Sequence, residues 1–174
     1  MGRISPHFSK PVARFIGDMM YGIMKGKDVK LSSIVRALKE ETTPKKVEDR
    51  LSRMLSSNGL ERDLHDVIAA EGARKVHRDT LIILDPSDVQ KPYARKMEYL
   101  AKVWDGSRGE VGDNLGYWGC MAVACDSGGR RPIPLHFRLW SADSPGFVSE
   151  NDEVESIVKT ISKHTKKRGI YVYD

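Results

Sequence analysis

Long apolar runs are missing from this 174-residue chain. None approaches the roughly 18 to 20 residues that a membrane span requires, and the first residues carry no signal-peptide apolar core. A cytoplasmic protein is expected. Cysteine is almost absent too, since Cys120 and Cys125 are the only two. They lie five apart in an apolar stretch with no histidine close by in sequence, so two core thiols are expected in place of a zinc site or a disulfide. There is no internal repeat and no low-complexity tract, which excludes a repeat array.

What is present suits a folded protein. Hydrophobic residues make up 40% and charged residues 30%, enough apolar surface to offset chain entropy. The net charge of +5 is unevenly spread: residues 1–78 carry 16 Lys/Arg against 10 Asp/Glu, and residues 79–174 carry 13 against 14. A basic front favours a polyanionic partner, most simply nucleic acid, although a solvated surface has the same composition.

Hydrophobic spacing divides the chain in two. Val12, Phe15, Ile16, Met19, Met20 and Ile23 fall on one stripe of a 3.6-residue helix. Leu31, Ile34, Val35 and Leu38 repeat the spacing over a shorter helix. Thr43-Pro44 gives an N-cap followed by proline at the first helical position, and Val47, Leu51, Met54 and Leu55 mark a third helix ending near Asn58-Gly59. Leu60, Leu64, Val67 and Ile68 supply a fourth. A helical region over 1–76 is expected.

The second region, 77–174, reads differently. Leu81 to Leu84 form a short apolar run with two β-branched members, expected to be a buried strand ending at Asp85-Pro86. A short helix is expected around Tyr93 to Lys102, then the turn Asp105 to Gly109. Tyr117 to Cys125 and Ile133 to Trp140 are strand candidates, joined by Asp126-Ser127-Gly128-Gly129, whose glycines suit a hairpin. Ser149 and Asp152 resemble a capping box opening a helix along Val154, Ile157, Val158 and Ile161, which closes at Lys166-Lys167-Arg168-Gly169. Ile170 to Tyr173 make a last short strand before Asp174. The fold class expected is α+β.

Two residues stand out chemically. Asp85 and Asp174 each follow an apolar strand, the place where open α/β sheets put functional groups. If those strands are neighbours, the carboxylates repel unless protonated or bridged by a cation, and paired acids are natural Mg²⁺ ligands. Aspartates also follow strands because they start turns, so this pattern leaves both readings open.

A resemblance adds to it. Leu-Asp-Pro-Ser-Asp-Val-Gln-Lys-Pro-Tyr-Ala (84–94), Trp-Asp-Gly-Ser (104–107), Gly-Tyr-Trp (116–118), Ile-Pro-Leu (133–135), Trp-Ser (140–141) and Val-Tyr-Asp (172–174) resemble, in order and spacing, landmarks of bacterial insertion-sequence transposases of the DDE type. Ser9-Lys10-Pro11 and Arg50-Leu51-Ser52-Arg53 resemble that family's N-terminal region. The resemblance implies a helical DNA-binding region followed by an incomplete ribonuclease H-like mixed sheet with a flanking helix. It implies Asp85 and Asp174 as the first and second catalytic acids and as ligands of Mg²⁺ or Mn²⁺. The family's reaction is metal-dependent cleavage at a transposon end, followed by transfer of the freed strand to target DNA. Its partners are double-stranded DNA, as ends and target, and a second copy at synapsis, in the bacterial cytoplasm with the nucleoid.

The family's third acid is a glutamate after the second aspartate. Glu110, Glu150, Glu153 and Glu155 all precede Asp174, so the 174 residues alone are expected to be inactive or nearly so. Two rival functions stay open: a DNA-binding product without catalysis that modulates the intact enzyme, and a metal-dependent nuclease of the same fold.

Lys45, Lys46, Arg50 and Arg53 fall on the polar side of the third helix and suit phosphate contacts or a DNA groove; a solvated basic face explains them equally well. Lys91, Lys102 and Arg108 flank the proposed carboxylates and are candidates for holding phosphates, with plain surface charge as the alternative. His136, between Leu135 and Phe137, is expected to be hydrogen-bonded or outward-facing. Trp104 and Trp118 suit either stacking on a base or packing at sheet edges.

Overall fold

The structure is a computed structural model that describes residues 5–94, 96–105, 109–125 and 131–173. It is α+β, with helices first and a mixed five-stranded sheet after them. Two compact units divide between Val67 and Ile68.

The first unit is built from α1 (Lys10–Gly26), α2 (Leu31–Leu38), α3 (Pro44–Leu55) and the start of α4 (Leu60–Ala73). Proline in the first turn of α1 and of α3 costs no hydrogen bond, because those N–H groups have no partner inside the helix. Thr43 holds the N-cap position of α3, but its side chain makes no cap hydrogen bond. The stripes close on one core of Phe15, Ile16, Ile34, Val35, Val47 and Leu51. Ile34 and Leu51 are wholly inaccessible to solvent, and each contributes roughly 1.5–3 kcal/mol by burial. Gly22 lets α1 and α2 meet: a Cβ there would stand 2.4 Å from Ile34 Cγ2.

A polar clasp ties the same helices. The Arg50 guanidinium on α3 donates to Asp18 of α1 at 2.7 Å and to Glu40, just beyond α2, at 2.5 Å. Arg14 approaches the same two carboxylates at 3.7 and 3.5 Å.

The second unit carries β1 (Leu81–Gln90), β2 (Ala101–Asp105), β3 (Glu110–Cys125), β4 (Ile133–Trp140), α5 (Glu150–Thr165) and β5 (Ile170–Tyr173). β3 is the hub. One of its sides pairs antiparallel with β1, and the other is shared, β2 taking its first half and β4 its second. β5 lies on the far side of β1 and parallel to it. Strands joined by short connections pair antiparallel, whereas the α5 crossover returns the chain parallel to β1.

Alternation gives the sheet two unlike faces. Ile82, Leu84, Cys120, Ala122 and Ala124 project to one side and form a core with Leu135, Trp140, Val76, and Ile157 and Ile161 of α5. Arg138 pairs with Glu153 of α5 beside it. The Ser149 hydroxyl accepts from the Asp152 N–H and caps α5, as the sequence spacing anticipates. The opposite face exposes Leu81, Met121, Phe137, Leu139, Ile170 and Val172.

Several expectations need correction. There is no helix over Tyr93 to Lys102: turns lead into β2, where Ala101 and Val103 are buried in alternation and Tyr99 takes a φ of 54° that interrupts any helix. β1 does not end at Asp85-Pro86 but runs on to Gln90, and β3 starts at Glu110, well before Tyr117. These extensions are held by backbone pairing with one another and with β2, a signal that apolar periodicity does not carry. Only one of the two thiols is core. Five positions of alternation put Cys120 and Cys125 on opposite faces, Cys120 buried and Cys125 half-buried, both unbridged. Of the two readings for His136 only the outward-facing one is overturned: it is buried on the core-facing side opposite Ala122. The turn 126–129 lies outside the described residues.

Candidate functional site

The approach of β5 to β1 is the feature that bears on chemistry. In the parallel register Ile82 faces Tyr171, Ile83 faces Val172 and Leu84 faces Tyr173. Asp85 follows Leu84 directly, and Tyr173 is the last described residue of β5. Asp174 lies outside the described residues.

Asp85 is an exposed residue on the open face, between Ile83 and Ser87 along β1 and opposite Met121 of β3. Its negative charge is felt across the strand. Burial pushes the Cys120 thiol above its ordinary pKa, and the Asp85 carboxylate adds to that rise, while a hydrogen bond to the Asp85 backbone opposes it. Asp85 has the hard oxygen donor that Mg²⁺ or Mn²⁺ prefers. Among the described residues, no three His, Cys, Asp or Glu side chains gather around one point.

Other candidate residues are scattered. Lys91 lies just past the end of β1, its N–H bonded to the Leu115 carbonyl at 2.8 Å. Six residues of extended chain separate it from Asp85, roughly 20 Å. Lys102 pairs with Leu115 at that same far end. Neither lysine flanks Asp85. Arg108 lies outside the described residues. Trp104 is 44% exposed on β2, whereas Trp118 packs against the sheet core.

On α3, Lys45, Lys46 and Arg53 are exposed, but Arg50 turns inward to the clasp described above. Lys45 bonds Asp49 at 3.0 Å, and that carboxylate holds its ammonium pKa above the ordinary value. Arg53 Nε donates to the Asp49 carbonyl at 3.2 Å. This helix therefore presents Lys45, Lys46 and Arg53 to solvent, one of them shared with an acid.

The structure also gathers a group that linear reading misses. Arg74, Lys75, His77, Thr80, Arg131 and Ile133 line one cavity of about 420 Å³. The signal for it is the pairing of β1 with β3 and of β3 with β4, which brings the starts of β1 and β4 to one edge of the sheet.

No helix among the described residues is long and apolar enough to cross a membrane. The chain matches no protein-family model and no curated protein sequence.

Proposed function

We propose that the chain acts in DNA transposition as a DDE-type transposase, its helical unit binding double-stranded DNA and its sheet carrying Asp85 and Asp174 as the first two acids of a strand-cleavage and strand-transfer site. One observation carries this reading: the strands that run into the two aspartates are parallel neighbours, with Tyr173 level with Leu84. Strand order supports a ribonuclease H-like sheet, since three antiparallel strands adjacent in the sheet (β1, β3, β4) are followed by a helical crossover to a strand parallel to the first and on its other side.

Asp85 and Asp174 would together hold a divalent cation, with a second copy of the chain joining at synapsis. Bound there, the ion supplies charge stabilisation for an in-line phosphoryl displacement. The two carboxylates would fix its position. Lys45, Lys46 and Arg53 suit phosphate contacts, which set register on a duplex without reading its sequence. Arg50 is left out of this set because its guanidinium is already engaged by two carboxylates.

Titration with Mn²⁺, followed by the paramagnetic resonance signal of the free ion, tests the assignment alongside gel shifts on duplex DNA. Ion binding is expected to disappear in Asp85→Ala and in Asp174→Ala, with both variants shifting DNA as the wild type does. Equal Mn²⁺ uptake by wild type and Asp85→Ala would sink the assignment.

A further inference from the structure

The edge of the sheet where β1, β4 and β5 begin is a basic rim. Leu81 is level with Cys125 and with Ile170, and Ile133 with Ala124, so the segments leading into β1, β4 and β5 arrive side by side. They bring Arg74, Lys75, His77 and Arg78, then Arg131, then Lys166, Lys167 and Arg168. The Ile170 N–H bonds the Thr80 carbonyl at 2.8 Å, which ties the last segment to the first.

Within this rim the cavity of about 420 Å³ draws together Arg74, Lys75, His77 and Arg131 above a floor of Thr80 and Ile133. Lys75 and Arg131 are exposed, so their charges stay hydrated and available. Thr80 is buried, and its hydroxyl accepts the His77 N–H at 2.9 Å, which leaves its own proton to donate. The acids nearby in sequence are Glu71, which takes part of Arg74 at 2.9 Å, Asp79 and Asp126. Cationic charge dominates even after that pairing.

From this geometry we infer that the rim cavity binds a phosphodiester of the DNA backbone. A concave cationic group with a guanidinium fork and a hydroxyl donor suits a phosphate, which offers two anionic oxygens to planar donors. Asp85 lies five residues beyond Thr80, roughly 17 Å along the chain, and on the open face, whereas Ile133 of the cavity is level with core-facing Ala124. The inference rests on the DNA-handling reading above and adds a second anchor to it.

The test is fluorescence anisotropy of a labelled 30-base-pair duplex against the full chain over a salt series, with wild type and a Lys75→Gln/Arg131→Gln variant whose fold is checked by circular dichroism. Removal of two phosphate contacts is expected to lower the log–log salt slope by about 2 and to weaken binding at least roughly tenfold at 0.1 M salt. If wild type binds the duplex and the variant binds with the same slope, the rim assignment is overturned while DNA handling stands. If wild type does not bind at low salt, both readings fall. Displacement of the duplex by inorganic phosphate at millimolar concentration marks a free-phosphate site, and equal displacement by poly-glutamate of matched charge marks a general polyanion surface; either result overturns the backbone assignment.

Discussion

Replacing Arg50 by methionine should unlock the helical unit and leave the sheet unit intact. The guanidinium makes hydrogen bonds to Asp18 at 2.7 Å and Glu40 at 2.5 Å, and the three side chains are only 28%, 19% and 22% exposed. Breaking one side of a fully buried ion pair costs about 3–5 kcal/mol, because the partner is left charged and dry. Here each carboxylate keeps some water, and Arg14 stands within 4 Å of both. The cost is therefore put at about 2 kcal/mol. For a unit of this size that lowers the melting temperature by roughly 10–15 °C. Arg50→Lys keeps the charge but loses the fork, so it should fall between. Hydrogen–deuterium exchange reads the outcome region by region: protection should drop in α1, α2 and α3 and stay unchanged in β1, β3 and β4. Unchanged protection in α1 and α3, together with weaker DNA binding, would refute the clasp and return Arg50 to the DNA-contacting set.

Two further outcomes follow from close approaches. Gly22→Ala puts a methyl 2.4 Å from Ile34 Cγ2 and should destabilise the helical unit by about 1–2 kcal/mol, the overpacking cost exceeding the helix-propensity gain. Melting of Gly22→Ala, Ile34→Ala and the double variant should then show the pair costing less together than the sum of the two alone. The raised pKa of Cys120 means less thiolate at any given pH, so iodoacetamide at pH 8 should modify half-buried Cys125 first and Cys120 about tenfold more slowly. Because the Asp85 charge adds to that rise, Asp85→Asn should speed Cys120 labelling, as mass spectrometry of the peptides would report.

Much of this arrangement was legible in the sequence wherever side-chain burial sets the pattern. The stripe containing Phe15 and Ile16, the strand Ile133–Trp140 and the Ser149 cap sit where spacing puts them, because each is fixed by contacts a few residues apart or by alternation against one core. β2 and the extensions of β1 and β3 were hidden because glycine and polar residues there join through backbone hydrogen bonds, which leave no trace in hydropathy. Arg50 is a different failure. Its spacing on α3 is that of a solvent-facing base, and only the fold brings Asp18 and Glu40, 32 and 10 residues away, to meet it. The rim cavity was hidden for the same reason, since Arg131 joins Arg74 through strand pairing alone.

The correction to β1 changes what makes Asp85 distinctive. Expected at the end of its strand, it instead sits in the middle of a ten-residue one, followed by Pro86. The described pairing of β1 with β5 stops at Leu84, whereas pairing with β3 continues through Pro86 and on to Gln90. Pro86, which pairs with Cys120 of β3, has no N–H to donate to a ladder. Asp85 therefore immediately precedes a gap in the hydrogen-bond donors of β1. Its carboxylate stays hydrated although its neighbours on the face, Ile83 and Met121, are apolar. The consequence can be checked: Ile82 to Leu84 lie between β3 and β5, so their amides should exchange slowly. Fast exchange there would mean that β1 is not flanked by both strands, and the placement of Asp85 beside β5 would be wrong.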